Sequence, residues 1–166
     1  MAKESAGRYV PRIRIEKYEN GSEAPFEVVE REGNLTTLAG RDYLAGLLVG
    51  SRQPFDDEHI RIAVGTGDSV ADEADTIDDI GSANSSSRHL QLPDSVTNSG
   101  TSVEIVATFG SGVANFDWES WGLDLTEEPG ADDGVVAGDL LFNRKAESLG
   151  TKNSFQTWVF TATLDF

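Results

Sequence analysis

The sequence predicts a mainly β protein, an antiparallel β-sandwich with one α-helix at about residues 35–49 and an N-terminal β-ribbon. Two observations carry this prediction. Apolar residues recur at helical spacing in one stretch only, whereas apolar and polar residues alternate after residue 60, as in half-buried strands. Glycine, asparagine and aspartate turns separate those later segments, which is typical of antiparallel sheets. We expect an arm and β-ribbon at 1–33 and a single sandwich domain with one helix at 34–166.

The N-terminal ribbon begins with a strand at 9–15. Asn20-Gly21 is a strong hairpin signal, so we expect the return strand at 26–30. Because Pro11 has no N–H to donate to a ladder, the first strand should lie at a sheet edge or begin only after this residue.

The ribbon is the least acidic part of the chain, and its basic residues allow two interpretations. Charged side chains can protect a sheet edge from aggregation. Alternatively, the arm adds to the sheet edge of a neighbouring subunit by β-augmentation, and its basic residues pair with carboxylates there. In that case the protein is a homo-oligomer, a trimer or a ring. The subunit contacts are then Arg8, Arg12, Arg14 and Lys17.

The predicted helix carries leucine, alanine and tyrosine on one face. It begins near Asn34, Thr36 and Thr37, since each of these side chains can accept a bond from an unpaired amide. Gly50 suits the position just after the helix, so the helix ends there.

A half-buried strand follows the helix, because Ile60, Ile62 and Val64 alternate with other residues. The strand ends at Gly65 and Gly67, which we assign to a turn with positive φ. Neither glycine begins a phosphate-binding motif.

The acidic segment 68–79 does not match the calcium-loop template, which needs acids at alternate positions and a central glycine. We therefore expect a solvated surface loop. A second acidic loop, rich in glycine, is expected at 126–138.

Five further strands are predicted at 88–96, 102–109, 116–125, 139–143 and 155–166. Pro93 breaks the first of them. The residues expected to face the core are Val103, Ile105, Ala107, Phe109, Trp121, Leu123, Leu125, Trp158, Phe160, Ala162, Leu164 and Phe166.

The charge balance is strongly acidic. Asp and Glu total 29 against 13 Lys and Arg, which gives a net charge of -16 and a pI near 4.3. The negative electrostatic field of such a protein opposes binding to nucleic acid, which is also negatively charged. Carboxylates spread along the chain, with few lysines, indicate adaptation to concentrated salt, where screening removes the self-repulsion. No apolar run is long enough to span a membrane, so we expect no membrane partner.

Residues that support catalysis or metal binding are sparse. The chain has no cysteine, which excludes thiolate sites. His59 and His89 are expected at strand ends or on the surface. Because acids are so abundant, a pair of close carboxylates carries no information here. We expect no enzymatic activity, no cofactor and no metal.

The tryptophans leave one alternative open, a platform on which a sugar ring stacks. Trp121 and Trp158 lie on predicted core faces, whereas Trp118 is not assigned to the core. An exposed Trp118, with Glu119 and Asp124, would form a contact to a host surface glycan.

Several short motifs occur in a fixed order from residue 34 onwards. They are Leu44-Ala45-Gly46-Leu47-Leu48, Ile62-Ala63-Val64-Gly65-Thr66-Gly67, the acidic residues from Ala71 to Asp75, Arg88, Gly122-Leu123, Gly138-Asp139-Leu140-Leu141-Phe142, Lys145 and the final alternating strand. This order resembles that of small virion proteins of tailed viruses, including the N-terminal domains of tail-collar fibres and many minor tail proteins. One position departs from the pattern: Ser120 stands where relatives often carry Glu, and Glu119 lies beside it.

The resemblance implies a non-enzymatic structural component of a virion, in the tail, the baseplate or the base of a fibre. Such a protein assembles with itself and with other virion proteins, and its location is the virion. A capsid-surface decoration or turret protein is the alternative, and a host-glycan-binding module is another. With the acidic composition, the resemblance points to a tailed virus of a haloarchaeon.

Overall fold

The computed structural model describes residues 10–82, 84, 86–131 and 133–166. It confirms the predicted mainly β fold, with two antiparallel sheets of five strands each. The strands are β1 (Val10–Glu19), β2 (Glu27–Glu32), β3 (Leu35–Thr36), β4 (Ile60–Gly65), β5 (Arg88–Gln91), β6 (Ser95–Ser99), β7 (Ser102–Phe109), β8 (Asp117–Leu125), β9 (Leu140–Thr151) and β10 (Gln156–Asp165). The helices are α1 (Leu38–Leu48) and α2 (Ile77–Ile80).

The first sheet has the strand order β2-β1-β10-β7-β6, and the second has the order β3-β9-β8-β4-β5. Their inner faces share one apolar core, to which alternate residues of the longer strands, such as Ile105, Ala107 and Phe109 of β7, contribute. Trp158 and Phe160 from the first sheet meet Trp118 and Trp121 from the second. Burial of these large aromatic side chains contributes to the stability of the sandwich.

The N-terminal ribbon is part of the first sheet. β1 pairs with β10 over ten residues, from Val10 opposite Asp165 to Glu19 opposite Gln156. β1 lies between β2 and β10, so the expectation of an edge strand or of a start after Pro11 is wrong. Pro11 is tolerated because β2 ends before reaching it, and the Pro11 carbonyl accepts a bond from Gly33 N at 2.8 Å.

The helix α1 lies where the sequence predicts it. Thr37 is its N-cap and accepts a bond from Gly40 N at 2.9 Å. Gly50, with φ +69, follows its C-terminal end. Leu35 and Thr36 do not join the helix, because they pair with Arg144 and Asn143 of β9 as the short strand β3.

Three predicted segments differ from the observed strands. The segment 88–96 forms two strands in different sheets, and Pro93 lies in the crossover between them. The segment 139–143 is only the start of β9, which continues to Thr151. Phe166 was expected in the core but is 54% exposed, because β10 ends one residue earlier.

Candidate functional site

The two sheets of the sandwich differ in what covers their outer faces. Every residue of β4 is buried, although one face of this strand points away from the core. The outer face of the second sheet is covered by the acidic segments at 66–81 and 126–139. The prediction of a half-buried strand at 60–64 is therefore wrong, and the reason is a set of buried arginines that hold these loops.

Arg61 projects from β4 into the outer layer and is fully buried. Its guanidinium donates to Asp124 Oδ2 on β8 at 2.7 Å and to Asp139 Oδ2 at 2.8 Å. It also donates to the carbonyls of Ala131 and Gly134 in the loop. One side chain thus fixes the loop 126–138 at several points, which a solvated loop would not need.

Asp124 is the most deeply buried carboxylate of this cluster. Burial raises the pKa of Asp124 to about 6, although the charge of Arg61 and its hydrogen bond act in the opposite direction. Its Oδ1 atom has no hydrogen-bond partner among the described residues. Asp139 adds a second negative charge to the same guanidinium and also raises the pKa of Asp124.

Two further arginines hold the other acidic segment. Arg144 of β9 donates to Asp75 Oδ2 at 2.7 Å, to Ser120 Oγ at 3.0 Å and to Gly67 O at 3.1 Å. Arg88 of β5 donates to Asp78 Oδ1 at 2.8 Å.

The segment 68–79 is consequently not a fully solvated loop. Its second half forms the short helix α2, and Ile77 and Ile80 are buried beneath it. These two side chains pack with Ala63, Leu90 and Leu141 in a second, smaller apolar cluster outside the main core. The expectation of a solvated segment agrees with the exposure of most residues in 68–76 and is wrong for α2, which Ile77, Ile80 and the pair Arg88–Asp78 anchor to the sheet.

Gly65 and Gly67 are required for close approach and not for a positive φ, which corrects the predicted turn. Neither has a positive φ. A Cβ at Gly65 would lie 2.2 Å from Ile80 O, and one at Gly67 would lie 2.1 Å from Asp79 O. The backbone of α2 therefore packs directly on the end of β4.

The residues named for a glycan contact do not form a surface site. Trp118 is fully buried, its ring lies 4.7 Å from those of Phe109 and Trp158, and its indole N–H donates to Ala114 O at 2.9 Å. The expectation that Trp118 is exposed is wrong. Asp124 is buried under the loop, while Glu119 accepts a bond from Ser148 Oγ at the surface.

Trp118 was missed because the alternation of β8 is interrupted. The register between β8 and β9 shifts between Trp118 and Ser120, where three residues of β9 oppose one of β8. Trp118 and Trp121, three residues apart, therefore both face the core. Trp121 and Trp158 are buried as predicted.

The basic residues proposed as subunit contacts lie in different environments. Arg12 pairs with Asp165 at 2.6 Å and Arg14 with Glu30 at 2.8 Å, both on the exposed outer face of the first sheet. Lys17 is 3% exposed, and its ammonium donates to Leu149 O at 2.6 Å and lies 4.3 Å from the Trp158 ring. Lys17 therefore belongs to the interior of its own chain, which removes it from the predicted contacts. Arg8 lies outside the described residues, and for Arg12 and Arg14 the subunit contact stays a prediction.

The outer face of the first sheet presents ordered side chains to solvent. Its charges are concentrated on β1 and β2, where arginine and glutamate pair across the strands. Across β10, β7 and β6 the face is mostly uncharged, and its partly or fully exposed members are Thr157, Val159, Thr161, Thr163, Val106, Thr108, Ser95, Thr97 and Ser99. The charged residues of these three strands on this face are Glu104, opposite both Thr163 and Thr97, and Asp165, which pairs with Arg12 of β1 and accepts a bond from Ser102 Oγ. This face is the candidate functional surface.

Both histidines lie at strand ends or edges, in contact with aspartate. His59 Nδ1 lies 2.7 Å from Asp56 Oδ1, and His89 Nδ1 lies 3.2 Å from Asp133 Oδ1. Within the described ranges, no group of three or more His, Asp or Glu residues is placed to hold a metal ion. In the same part of the chain no helix has the length and apolar character needed to cross a membrane.

Comparisons of this chain with protein-family models, with curated proteins and with solved structures found no match.

Proposed function

We propose that this chain is a non-enzymatic structural component of a tailed-virus virion. It acts in the tail, the baseplate or the base of a fibre, and it assembles with itself and with other virion proteins. The observation that supports this best is the difference between the two outer faces of the sandwich. The second sheet is closed by loops that buried arginines hold in place, whereas the first sheet presents a broad ordered face.

The composition of that face suits an assembly contact. Threonine and valine are β-branched and have few rotamers, so they lose little conformational freedom when a partner covers them. A face made of longer side chains would lose more. Because the face is part of a five-stranded sheet that packs on a shared core, its shape is set before any partner arrives.

Three of the motifs on which the virion resemblance rests are neighbours in space. Ala63 of β4 lies opposite Gly122 of β8, and Lys145 of β9 lies opposite Trp121, the residue before Gly122. Three of the motifs, on β4, β8 and β9, therefore build one part of the second sheet, whereas the final alternating strand is β10 of the first sheet. This clustering supports reading them together as one structural unit.

The test is to locate the protein in purified particles of the virus that encodes it. Protease-treated and washed virions are analysed by mass spectrometry, and antibody against the chain is visualised by immunogold labelling. We expect the protein in the particles, with label on the tail or baseplate. Label distributed over the capsid would instead indicate a decoration or turret protein, and absence from the particles would refute a virion role.

A further inference from the structure

We propose that β6 is an assembly edge, and that it pairs antiparallel with β6 of a second copy of this chain across a two-fold axis. This inference names the contact by which the proposed structural protein would associate with itself, and so it rests on that function for its biological meaning. The contact itself is inferred from a comparison of how the four edges of the two sheets are protected.

Every sheet edge carries backbone N–H and C=O groups that can pair with another chain, and soluble proteins protect these edges. The edge strand β2 is protected by charge, since four of its six residues are Glu27, Glu30, Arg31 and Glu32. Arg31 also reaches across to Glu147 at 3.5 Å.

The two edges of the second sheet are covered by other parts of the chain. At the β5 edge, Leu90 N donates to Asp133 Oδ1 at 2.9 Å, and Leu90 O accepts from Asp133 N at 3.2 Å. At the other edge, β3 covers the first half of β9, and Thr37 N donates to Phe142 O at 3.1 Å. Farther along β9, the Lys17 ammonium binds Leu149 O.

The fourth edge, β6, has none of these protections in the described structure. Its sequence is Ser-Val-Thr-Asn-Ser, without a charge, a proline or a lysine, and its last three residues are exposed. It pairs with β7 on one side only. In a chain in which 25% of residues are charged, an uncharged exposed edge strand of five residues is unusual and calls for a partner.

A second β6 suits this edge as that partner, because β6 carries no charge and two copies of it can pair without like charges opposite each other. Each copy carries a net charge of -16, so a strand that approaches this edge should bring no further acidic residues. The edge strand β2 carries three glutamates, and the β5 edge is already covered by Asp133. Among the edge strands longer than two residues in the described chain, β6 is therefore the one that is both free of acidic residues and open. The strand β6 is also already ordered by its pairing with β7. Its association with a second β6 therefore loses less conformational entropy than the addition of a disordered segment would.

Antiparallel pairing of two β6 strands would join the first sheets of both copies into one continuous sheet of ten strands. The mostly uncharged area over β10, β7 and β6 would then become one surface across the pair. Such a two-fold contact closes at two copies, so a larger ring would need another surface.

The absence of cysteine allows a direct test by single-cysteine cross-linking. Five variants place one cysteine at each position of β6 in turn, and Val28→Cys on β2, where Val28 is 40% exposed, is the matched control. Under mild oxidation in high KCl, we expect one β6 position near Thr97 to give a disulfide-linked dimer with a sharp maximum. A disulfide needs Cα atoms within about 7 Å, so only residues next to the two-fold axis qualify. Equal cross-linking of the control, or none at any β6 position, would overturn the proposal.

Light scattering in high KCl gives the second measurement. The wild-type chain should show twice its mass of 17.9 kDa. Thr97→Glu places two like charges near each other across the axis and should yield monomer, whereas Val28→Glu adds the same charge on β2 and should remain dimeric. A thermal melt of each variant shows that it is folded. A wild-type monomer at every concentration, a trimeric mass, or a dimer that Thr97→Glu leaves intact would each contradict the pairing.

These measurements are independent of virion labelling. A β6 dimer of a protein that is missing from virions would refute only the proposed function. A virion protein without β6 cross-linking would refute only the edge contact.

Discussion

Arg61 of β4 and Asp124 of β8 face each other across the two strands, and neither side chain is exposed to solvent. The same guanidinium also binds Asp139, which is equally buried. One cation therefore compensates two carboxylates in the layer between the second sheet and its covering loop. The energetics of this layer decide how firmly the loop 126–138 is held.

Replacement of Arg61 by methionine should lower the free energy of unfolding by about 3–5 kcal/mol, because it leaves buried carboxylates without a cation. Urea unfolding at constant high salt measures the change. Arg14→Met is the control, since Arg14 makes ion pairs on the exposed face and its loss should change the free energy of unfolding far less. Similar small losses for both variants would show that the Arg61 cluster is not buried in solution.

The raised pKa of Asp124 predicts how stability changes with pH. The folded state holds a proton on Asp124 up to about pH 6, whereas the unfolded state releases it near the ordinary value of 3.8. Between these values the folded state binds more protons, so this group makes the protein less stable as pH rises. Above pH 6 its contribution is constant.

Asp124→Asn isolates this effect, because all other carboxylates are common to both proteins. The free energy of unfolding of wild type minus that of Asp124→Asn should fall between about pH 4 and 6 and then level off. Urea unfolding across this pH range at fixed KCl provides the curve. A difference that rises over this interval would mean that Arg61 lowers the pKa of Asp124 more than burial raises it.

Gly65→Ala should destabilise the protein by about 1–3 kcal/mol, because the added Cβ would lie 2.2 Å from the Ile80 carbonyl. Gly112→Ala is the matched control, since no atom lies within 4 Å of a Cβ there and the backbone has no positive φ. The control should change stability by less than about 0.5 kcal/mol. Thermal melts of the two variants side by side give the comparison, and equal stability would contradict the close packing of α2 on β4.

Salt should stabilise the fold, because a net charge of -16 opposes compaction when it is unscreened. The Debye length falls from about 10 Å at 0.1 M salt to about 3 Å at 1 M. Melting temperatures measured at increasing KCl should therefore rise through this range. Melting that is insensitive to KCl above 0.1 M would contradict adaptation to concentrated salt.

The fold class, the position of α1 and the inward residues of β7 and β10 could be predicted from the sequence alone. These features depend on local periodicity, since alternation at Ile105, Ala107 and Phe109 specifies one buried face whatever the partner strand is. Thr37 and Gly50 likewise set the ends of α1 through bonds and backbone angles within a few residues.

Which faces and edges are covered depends on contacts between segments that are far apart in the sequence. The burial of Arg61 depends on carboxylates 63 and 78 residues away, and no local pattern reports such a pairing. Trp118 faces the core because β9 has extra residues opposite Glu119, which no inspection of β8 alone reveals. The open edge at β6 is likewise defined by what the other strands pair with. Side-chain periodicity is a property of one segment, whereas burial, register and edge exposure are properties of segments brought together, and so they appear only when the sheets are assembled.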